Sequence, residues 1–419
     1  MESCLRSVVK GPNRFMKSIA RYVLFVFAII AIAGIFFQWK KQDRRAAIQE
    51  LETVYSADVS AEEDSLHIGC SSEKLVDLEA FSRVVERAGD VTILDLTGSP
   101  NLESFHGVER LSSLLSLMAI DCPKLTSAKG VTGLPNLEEF FITDSRFFVD
   151  ASALRDLPSL TTIDLSGAGK LEQIDVSGLE RLKNLYLSRC RALKELNLSS
   201  CEKLEQLYVD GCGGLVLIDG LGYLKSLTDL DVSNCDQLQK LEGVGNLEKL
   251  VVLDIRNVNL ADFSEIGTLS ELKVLRLGGQ DELETLEPFA GLESLTEIHL
   301  EACPKFRSLE GLPASISQYA GFTHCPSLKN LSGIGVASQI EQLDLTGCES
   351  LQDISELSSL KNLSQLNLSK CRQVTEVSSL QSVEKLAIVL LGGSGVVPGS
   401  IKELQVGMKE TVFDFAVTE

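Results

Sequence analysis

The side chains that most often do chemistry are few in this 419-residue chain, and they do not fall into a catalytic spacing. The four histidines are His67, His106, His299 and His324, and none stands in a metal-ligand or nucleophile motif. His299 and Asp254 would lie two strands apart in the arrangement described below, so a hydrolase-like site there is an alternative. The sequence predicts that the protein is not an enzyme and needs no cofactor, metal or small-molecule substrate.

Most of the eleven cysteines recur at one position of a repeated sequence motif and do not fall in pairs. Eight of them occupy the same position of that motif: Cys122, Cys190, Cys212, Cys235, Cys303, Cys325, Cys348 and Cys371. No pair has the spacing of a zinc knuckle. A thiol that recurs at one position is expected to serve as a small buried residue, which favours a reducing compartment.

The repeated motif covers about three quarters of the chain. Fourteen units of 22 or 23 residues begin in phase at Val91, Leu114, Leu137, Leu160, Leu182, Leu204, Leu227, Leu250, Leu272, Leu295, Ser317, Ile340, Leu363 and Leu386. Positions 1, 4 and 6 of nearly every unit are apolar, which predicts a short strand, and position 12 is apolar again. Because one unit cannot bury its own apolar face, neighbouring units must share a core.

The pattern L-x-x-L-x-L-x-x-C-x-x-L resembles the leucine-rich repeat family. The resemblance implies an α/β solenoid, a leucine-rich repeat horseshoe whose concave side is a parallel sheet with one strand from each unit. The motifs DLTGC and NLSSC are similar to those in the repeat arrays of plant immune receptors. The motif that begins at Gly133-Leu134 is similar to one in phosphatase-regulatory repeat proteins. Gly169-Lys170 is followed by Leu171, which a nucleotide-binding loop does not tolerate, so neither subfamily's function can be carried over.

The N-terminal region begins with a basic segment, residues 1–21, and an apolar run, residues 22–39. The run has the length of a transmembrane helix, and Tyr22 and Trp39 fit interfacial aromatics, so it predicts a single-pass membrane protein. A signal peptide cleaved near Ala31-Ile32-Ala33 is the alternative. Basic residues flank both ends of the run and give a slight preference for a cytoplasmic N-terminus. Because free cysteines favour cytoplasmic repeats, the side of the membrane that carries the repeats stays open.

The remaining boundaries follow from composition and period. Residues 40–72 are predicted to be a juxtamembrane spacer, residues 73–90 an N-terminal cap helix, residues 91–408 the repeats and residues 409–419 a C-terminal cap. The ends of a solenoid need such covers because their apolar edges would otherwise be open to water. The chain has a net charge of −20 although its first residues are basic. This charge opposes nucleic-acid binding and favours a basic protein partner.

Position 5 of each unit is predicted to project from the concave sheet. In chain order it holds Asp95, Met118, Phe141, Asp164, Tyr186, Tyr208, Asp231, Asp254, Arg276, His299, Gly321, Asp344, Asn367 and Leu390. Neighbouring strands lie about 4.8 Å apart, so the row spans roughly 60 Å and could accommodate a protein-sized partner.

Two groups on this face are candidate contacts. The first is a broken aromatic patch of Met118, Phe141, Tyr186 and Tyr208, bordered by Arg189 and Asp210; the second is a basic cluster of Arg256, Arg276, His299 and His324. Aromatic side chains often dominate the binding energy of an interface. The sequence therefore predicts a membrane-anchored repeat protein that binds a protein partner through its concave face. A membrane-tethered structural or adhesive spacer without a defined partner is the alternative, because large residues at position 5 can simply pack against each other.

Overall fold

Stacked strands, one from each repeat unit, form the body of the computed structural model, which describes residues 13–62 and 65–416. The α-helices are α1 (Asn13–Val54), α2 (Glu79–Ala88) and α3 (Pro398–Gly407). The strands are β1 (Asp58–Glu62), β2 (Ser65–Gly69), β3 (Val91–Asp95), β4 (Ser116–Met118), β5 (Glu139–Phe141), β6 (Thr162–Asp164), β7 (Asn184–Tyr186), β8 (Glu195–Asn197), β9 (Gln206–Tyr208), β10 (Leu217–Asp219), β11 (Asp229–Asp231), β12 (Val252–Arg256), β13 (Val274–Gly278), β14 (Glu297–Glu301), β15 (Tyr319–Thr323), β16 (Gln342–Asp344), β17 (Gln365–Asn367), β18 (Ile388–Leu390) and β19 (Val412–Asp414).

Seventeen of these strands form one sheet that runs the length of the solenoid. β1 and β2 pair as an antiparallel hairpin, and β2 then begins a parallel series that continues through β3 to β7, β9 and β11 to β19. β8 and β10 pair separately as a small parallel sheet. The predicted solenoid with a large parallel sheet is confirmed.

A continuous apolar core explains why the units stack. The fourteen side chains at position 4 are each at most 1% exposed, and the register sets each one opposite its equivalents in the adjacent units. Leu207, for example, lies between Leu185 and Leu230. The core is therefore formed jointly by neighbouring units, and no unit forms a core by itself.

The turn after each strand depends on a left-handed backbone at position 8. In all fourteen units this residue has a positive φ, either as glycine or as a residue such as Asn234 at 58° or Lys370 at 61°. Glycine, Asn and Asp tolerate this conformation best, which accounts for most of the residues found there. The turn directs the next side chain, at position 9, into the core.

In many units the side chain at position 9 donates a hydrogen bond to the unit before it. The thiol of Cys212 donates to the carbonyl oxygen of Leu187 at 3.1 Å, and the thiol of Cys371 donates to that of Leu345 at 3.0 Å. Gln280 replaces the thiol in its own unit and reaches the equivalent carbonyl of Ile255 with its amide nitrogen. Each of these carbonyl oxygens also accepts a backbone N–H from its own turn, so the position-9 side chain adds a second hydrogen bond between neighbouring units.

The ten described cysteines are expected to resist alkylation in the folded protein. They are all free and buried, and burial raises the pKa of Cys348 to about 11 and that of Cys371 to about 12, so little thiolate forms near pH 8. Iodoacetamide treatment followed by mass spectrometry should label these residues only after unfolding in urea. Rapid labelling of Cys212 or Cys348 in the folded protein would contradict the stacked core.

Nine short 3-10 helices return the chain from the turns to the next strand. They are Val108–Arg110, Ser152–Asp156, Leu221–Tyr223, Val244–Asn246, Ile266–Thr268, Glu287–Phe289, Ile334–Ala337, Ser355–Ser359 and Ser378–Ser382, counted over the residues that the structure describes. Most of them contain a buried apolar residue and are followed by another, for example Leu221 and Leu224. They form the side of the solenoid opposite the large sheet.

The N-terminal end requires a correction. Within residues 13–62 and 65–416, no helix combines the length and the apolar character needed to cross a membrane, so the prediction of a single-pass membrane protein is wrong. The helix that contains residues 22–39 continues without a break to Val54 as α1. Ala47 and Leu51, in its last turns, belong to the repeat core. Residues 1–12 of the predicted basic segment, and the side chains of residues 13–32 and 34, lie outside the described part.

Both ends of the core are covered. α2 buries Phe81, Val84 and Val85 against the first units, and Arg87 ties it to α1 through Asp43 at 2.9 Å and Glu50 at 3.1 Å. At the other end α3 follows β18 within the last unit, and β19 pairs with β18. Residues 417–419 of the predicted C-terminal cap lie outside the described part, and the predicted domain boundaries stay predictions.

Candidate binding face

The position-5 residues form one row on the solvent-facing side of the large sheet, which we call the concave face. The strand register pairs each of them with its neighbours, from Asp95 with Met118 to Asn367 with Leu390. Met118, Phe141, Tyr186, Tyr208, Arg276 and His299 lie in this row. Arg189 occupies position 8 of its unit, and Asp210 and Arg256 occupy position 7 of theirs.

The centre of the aromatic patch is a stacked pair. The rings of Tyr186 and Tyr208, on the neighbouring strands β7 and β9, lie 5.4 Å apart at an interplanar angle of 23°. The hydroxyl of Tyr186 donates to the side-chain oxygen of Gln206. Both rings are half-buried, and burial raises the pKa of each phenol. The structure therefore holds two tyrosines in a fixed orientation with one edge open to solvent.

The rest of the predicted patch is a second, separate pair. Met118 and Phe141 are neighbours in register, but Asp164 stands between Phe141 and Tyr186. A single continuous aromatic strip is thus not formed. The concave face instead presents two apolar pairs divided by a carboxylate.

The bordering residues Arg189 and Asp210 each have a partner. The guanidinium of Arg189 lies 3.2 Å from the carboxylate of Asp144, although both side chains are more than half exposed. Asp210 accepts a hydrogen bond from the hydroxyl of Ser188. An exposed pair such as Arg189–Asp144 contributes little to stability, so both charges remain available to a partner.

Acidic residues occupy the middle of the concave face. Asp231 and Asp254 are neighbours in register, and Asp254 is only 2% exposed. The guanidinium of Arg256 donates to both oxygens of Asp254, at 2.7 Å to Oδ2 and 3.0 Å to Oδ1. Asp231 has no such cation: burial raises its pKa more than hydrogen bonds from Ser233 lower it, and the charge of Asp254 raises it further.

The basic cluster is weaker than the sequence predicts. Arg256 is engaged by Asp254, and the ring of His299 stacks on Tyr319 at a centroid distance of 4.4 Å. Burial lowers the pKa of His299, and this effect outweighs the hydrogen bond to the carboxylate of Glu297, which raises it. The imidazole is therefore mostly uncharged at neutral pH.

The sequence analysis did not identify Tyr319 or the pairing of Asp254 with Arg256. Tyr319 is at position 3 of its unit, where its side chain shares a face with position 5, and burial raises its pKa to about 12. Asp254 and Arg256 are two residues apart on one strand, so their side chains point to the same face. That alternation was the available signal for both.

Asp254 and His299, the residues of the hydrolase alternative, do not form an acid–base pair in this arrangement. Arg276 lies between Asp254 and His299 in register. Asp254 is held by Arg256, and the Nε2 atom of His299 is 3.4 Å from Glu297. The two residues therefore have other partners and do not face each other.

One group of ligand-type side chains lies away from this face, beside α2. Glu79, His106 and Glu109 bring their donor atoms within 4.8 Å of one another. However, Arg83 and Arg110 both donate to Glu79, at 2.6 and 3.0 Å, and they hold the pKa of this carboxyl down to about 2. Two guanidinium groups beside one ligand oppose the binding of a cation, so the group is better explained as an ion-pair network.

A solenoid whose fourteen units each add a parallel strand and an inward position-9 side chain defines a class of protein: the chain has the fold of leucine-rich repeat proteins. The family model that matches is described as the leucine-rich repeats of plant disease resistance proteins like RPS2, and it matches residues 190–320. No curated protein matches the chain. No enzyme family is indicated.

Solved structures of leucine-rich repeat proteins share the fold. A leucine-rich repeat protein of Leptospira interrogans is 20% identical with a TM-score of 0.59, and the alignment covers 80% of each chain. An internalin (inlF) of Listeria monocytogenes is 19% identical with a TM-score of 0.53, covering 74% of this chain and 82% of that one. TLR13, solved in complex with ssRNA13, is 18% identical with a TM-score of 0.61, covering 81% of this chain and 56% of that one. At these identities the likeness concerns the fold.

Proposed function

We propose that this protein is a non-enzymatic scaffold that binds a protein partner through its concave face, with the stacked Tyr186–Tyr208 pair as the main contact. The observation that carries the proposal is the fixed, half-buried geometry of that pair. A tyrosine whose ring is already ordered loses little conformational entropy on binding, and its body and hydroxyl offer both apolar and polar contact.

The charges around the pair favour a basic partner. Asp229 and Asp231 lie on β11, the strand next to Tyr208, and Asp210 follows β9. A Lys or Arg side chain could lie over a tyrosine ring and reach one of these carboxylates at the same time. Arg189 and Arg276 flank this acidic centre, where they would contact acidic residues at the rim of the same partner.

A spacer without a defined partner is the second candidate, because Tyr186 and Tyr208 also pack against each other. The two proposals differ in what lies near Tyr208 in the cell. A photo-reactive benzoylphenylalanine at position 208 should form crosslinks to a discrete protein in extracts of the cells that make this chain. The same residue at position 223 is the matched control, since Tyr223 is 61% exposed and lies in a 3-10 helix away from the large sheet. Equal crosslinking at both positions would support the spacer.

A further inference from the structure

One repeat unit departs from the pattern that the others keep. Position 12 of the units before the last is a large buried apolar residue, for example Leu238 at 0% and Leu283 at 4% exposure. In the unit that spans residues 250–271 this position is Ala261, which is exposed, and Leu260 is buried one residue earlier. The side of the solenoid is therefore indented at this unit.

The indentation is a groove between two regular units. A cavity of about 880 Å³ lies over Leu260, Ala261 and Phe263 and is walled by Asp236 on one side and Glu287 on the other. A second cavity of about 230 Å³ shares Leu260 and Ala261 with the first. The two together are called here the lateral groove.

The floor of the lateral groove is apolar and fixed in place. Phe263 is half-buried and packs edge-on against the fully buried Phe289, with ring centroids 5.6 Å apart. Leu260 is 5% exposed. An apolar side chain from a partner could therefore bury surface here without any rearrangement of the core.

The walls of the groove are acidic. Four acidic residues line the larger cavity and three line the smaller one, against a single basic residue, Lys240. Most of these acids have a partner, and the exceptions in the described part of the chain are Asp236 and Glu287, whose side chains form neither an ion pair nor a hydrogen bond. Both are exposed, and they belong to the two opposite walls.

The neighbouring acids show how the others are satisfied. Glu282 is paired with Lys305 at 2.6 Å, and Glu284 is paired with Arg307 at 2.7 Å. Glu265 accepts a hydrogen bond from the backbone of Gly245. Asp262 likewise accepts hydrogen bonds from Ser264. Among the described residues, the groove acids with neither an ion pair nor a hydrogen bond are thus the two on the opposite walls.

We propose that the lateral groove binds an extended segment of a protein partner that carries an apolar residue next to a Lys or Arg. The apolar side chain contacts Leu260 and Phe263, and the cation lies between Asp236 and Glu287. The site is separate from the concave face, so it adds a second contact for the same partner or a contact for another one.

The test uses fluorescein-labelled peptides of alternating Lys and Ser with one central Leu, and fluorescence anisotropy with the full chain at about 150 mM salt, where the Debye length is near 8 Å. Saturable binding is expected. The peptide with Glu in place of Lys, and the peptide with Ser in place of Leu, should each bind about tenfold more weakly or not at all.

Variants then locate the site. Asp236→Asn with Glu287→Gln, and separately Ala261→Arg, should each weaken the Lys peptide about tenfold while the melting temperature is unchanged. The matched control is Glu103→Gln with Glu202→Gln, which removes two exposed carboxylates elsewhere and should leave binding unaltered. Equal loss in the control would mean diffuse attraction to an acidic surface and would overturn the proposal, as would binding that survives both groove variants. Tyr186→Ala with Tyr208→Ala should not affect this peptide, which separates the groove from the proposed function.

Discussion

Leu207→Ala is expected to lower the free energy of unfolding by about 2–5 kcal/mol, the range found when a fully buried leucine is truncated in a close-packed core. Leu207 is 0% exposed on β9, where its side chain fills the space between the strands of the preceding and following units. In a solenoid each unit packs only against its two neighbours, so the cavity left by the truncation is bounded by β7 and β11. Neither neighbour can move into it without losing its own register.

The change is best measured by urea denaturation with Glu202→Ala as the control. Glu202 is exposed and lies two residues before Leu204, where the unit of Leu207 begins, so its truncation should alter stability by no more than about 0.5 kcal/mol. A loss of less than about 1 kcal/mol for Leu207→Ala would mean that the units do not share a core.

The strands and their register could be predicted because one phase holds from Val91 to Leu386. An error of one residue would turn every apolar side chain to the solvent side, so the repeated positions 4 and 6 leave a single choice of register. The same argument placed the concave row correctly, from Asp95 to Leu390. Repetition supplies this information fourteen times, which a single short strand never does.

Pairings across the concave face could not be predicted in the same way. Arg256 was grouped with Arg276 and His299 as a basic cluster, but its guanidinium is held by Asp254 on its own strand. His299 was grouped as a cation, but burial beside Tyr319 lowers its pKa. The sequence gives the face on which a side chain lies, whereas its charge state depends on burial and on neighbours from other units.

The N-terminal prediction failed for a related reason. The apolar composition of residues 22–39 indicated a membrane segment with its own boundaries, whereas α1 continues past Trp39 and places Ala47 and Leu51 in the repeat core. The apolar composition of a segment does not show where the helix that contains it ends. The lateral groove was also not predicted. Ala261 marks it only by contrast with Leu238 and Leu283, which are buried at the same position of the adjacent units.

Tyr186→Ala combined with Tyr208→Ala is expected to weaken binding of the protein partner by about 30-fold or more. Truncation of an aromatic residue at the centre of an interface typically costs about 1–2 kcal/mol or more, and each 1.4 kcal/mol is a factor of ten in affinity. Both rings project from the concave face and are only half-buried, so the core beneath them is unchanged. The melting temperature should therefore fall only slightly.

Conservative variants separate the ring from the hydroxyl. Tyr186→Phe keeps the stacked geometry and removes only the hydrogen bond to Gln206, so most of the affinity should remain. If the phenylalanine variant bound as weakly as the alanine variant, the hydroxyl and not the stacked ring would be the contact.

The most direct test of the account is the dissociation constant of the crosslinked partner for Tyr186→Ala with Tyr208→Ala, measured beside Tyr223→Ala by isothermal titration calorimetry. Tyr223 is an equally large residue, 61% exposed and away from the concave face. The account predicts a loss of about 30-fold or more for the double variant and less than about twofold for Tyr223→Ala. Unchanged affinity in the double variant, with its fold intact, would contradict binding through the concave face.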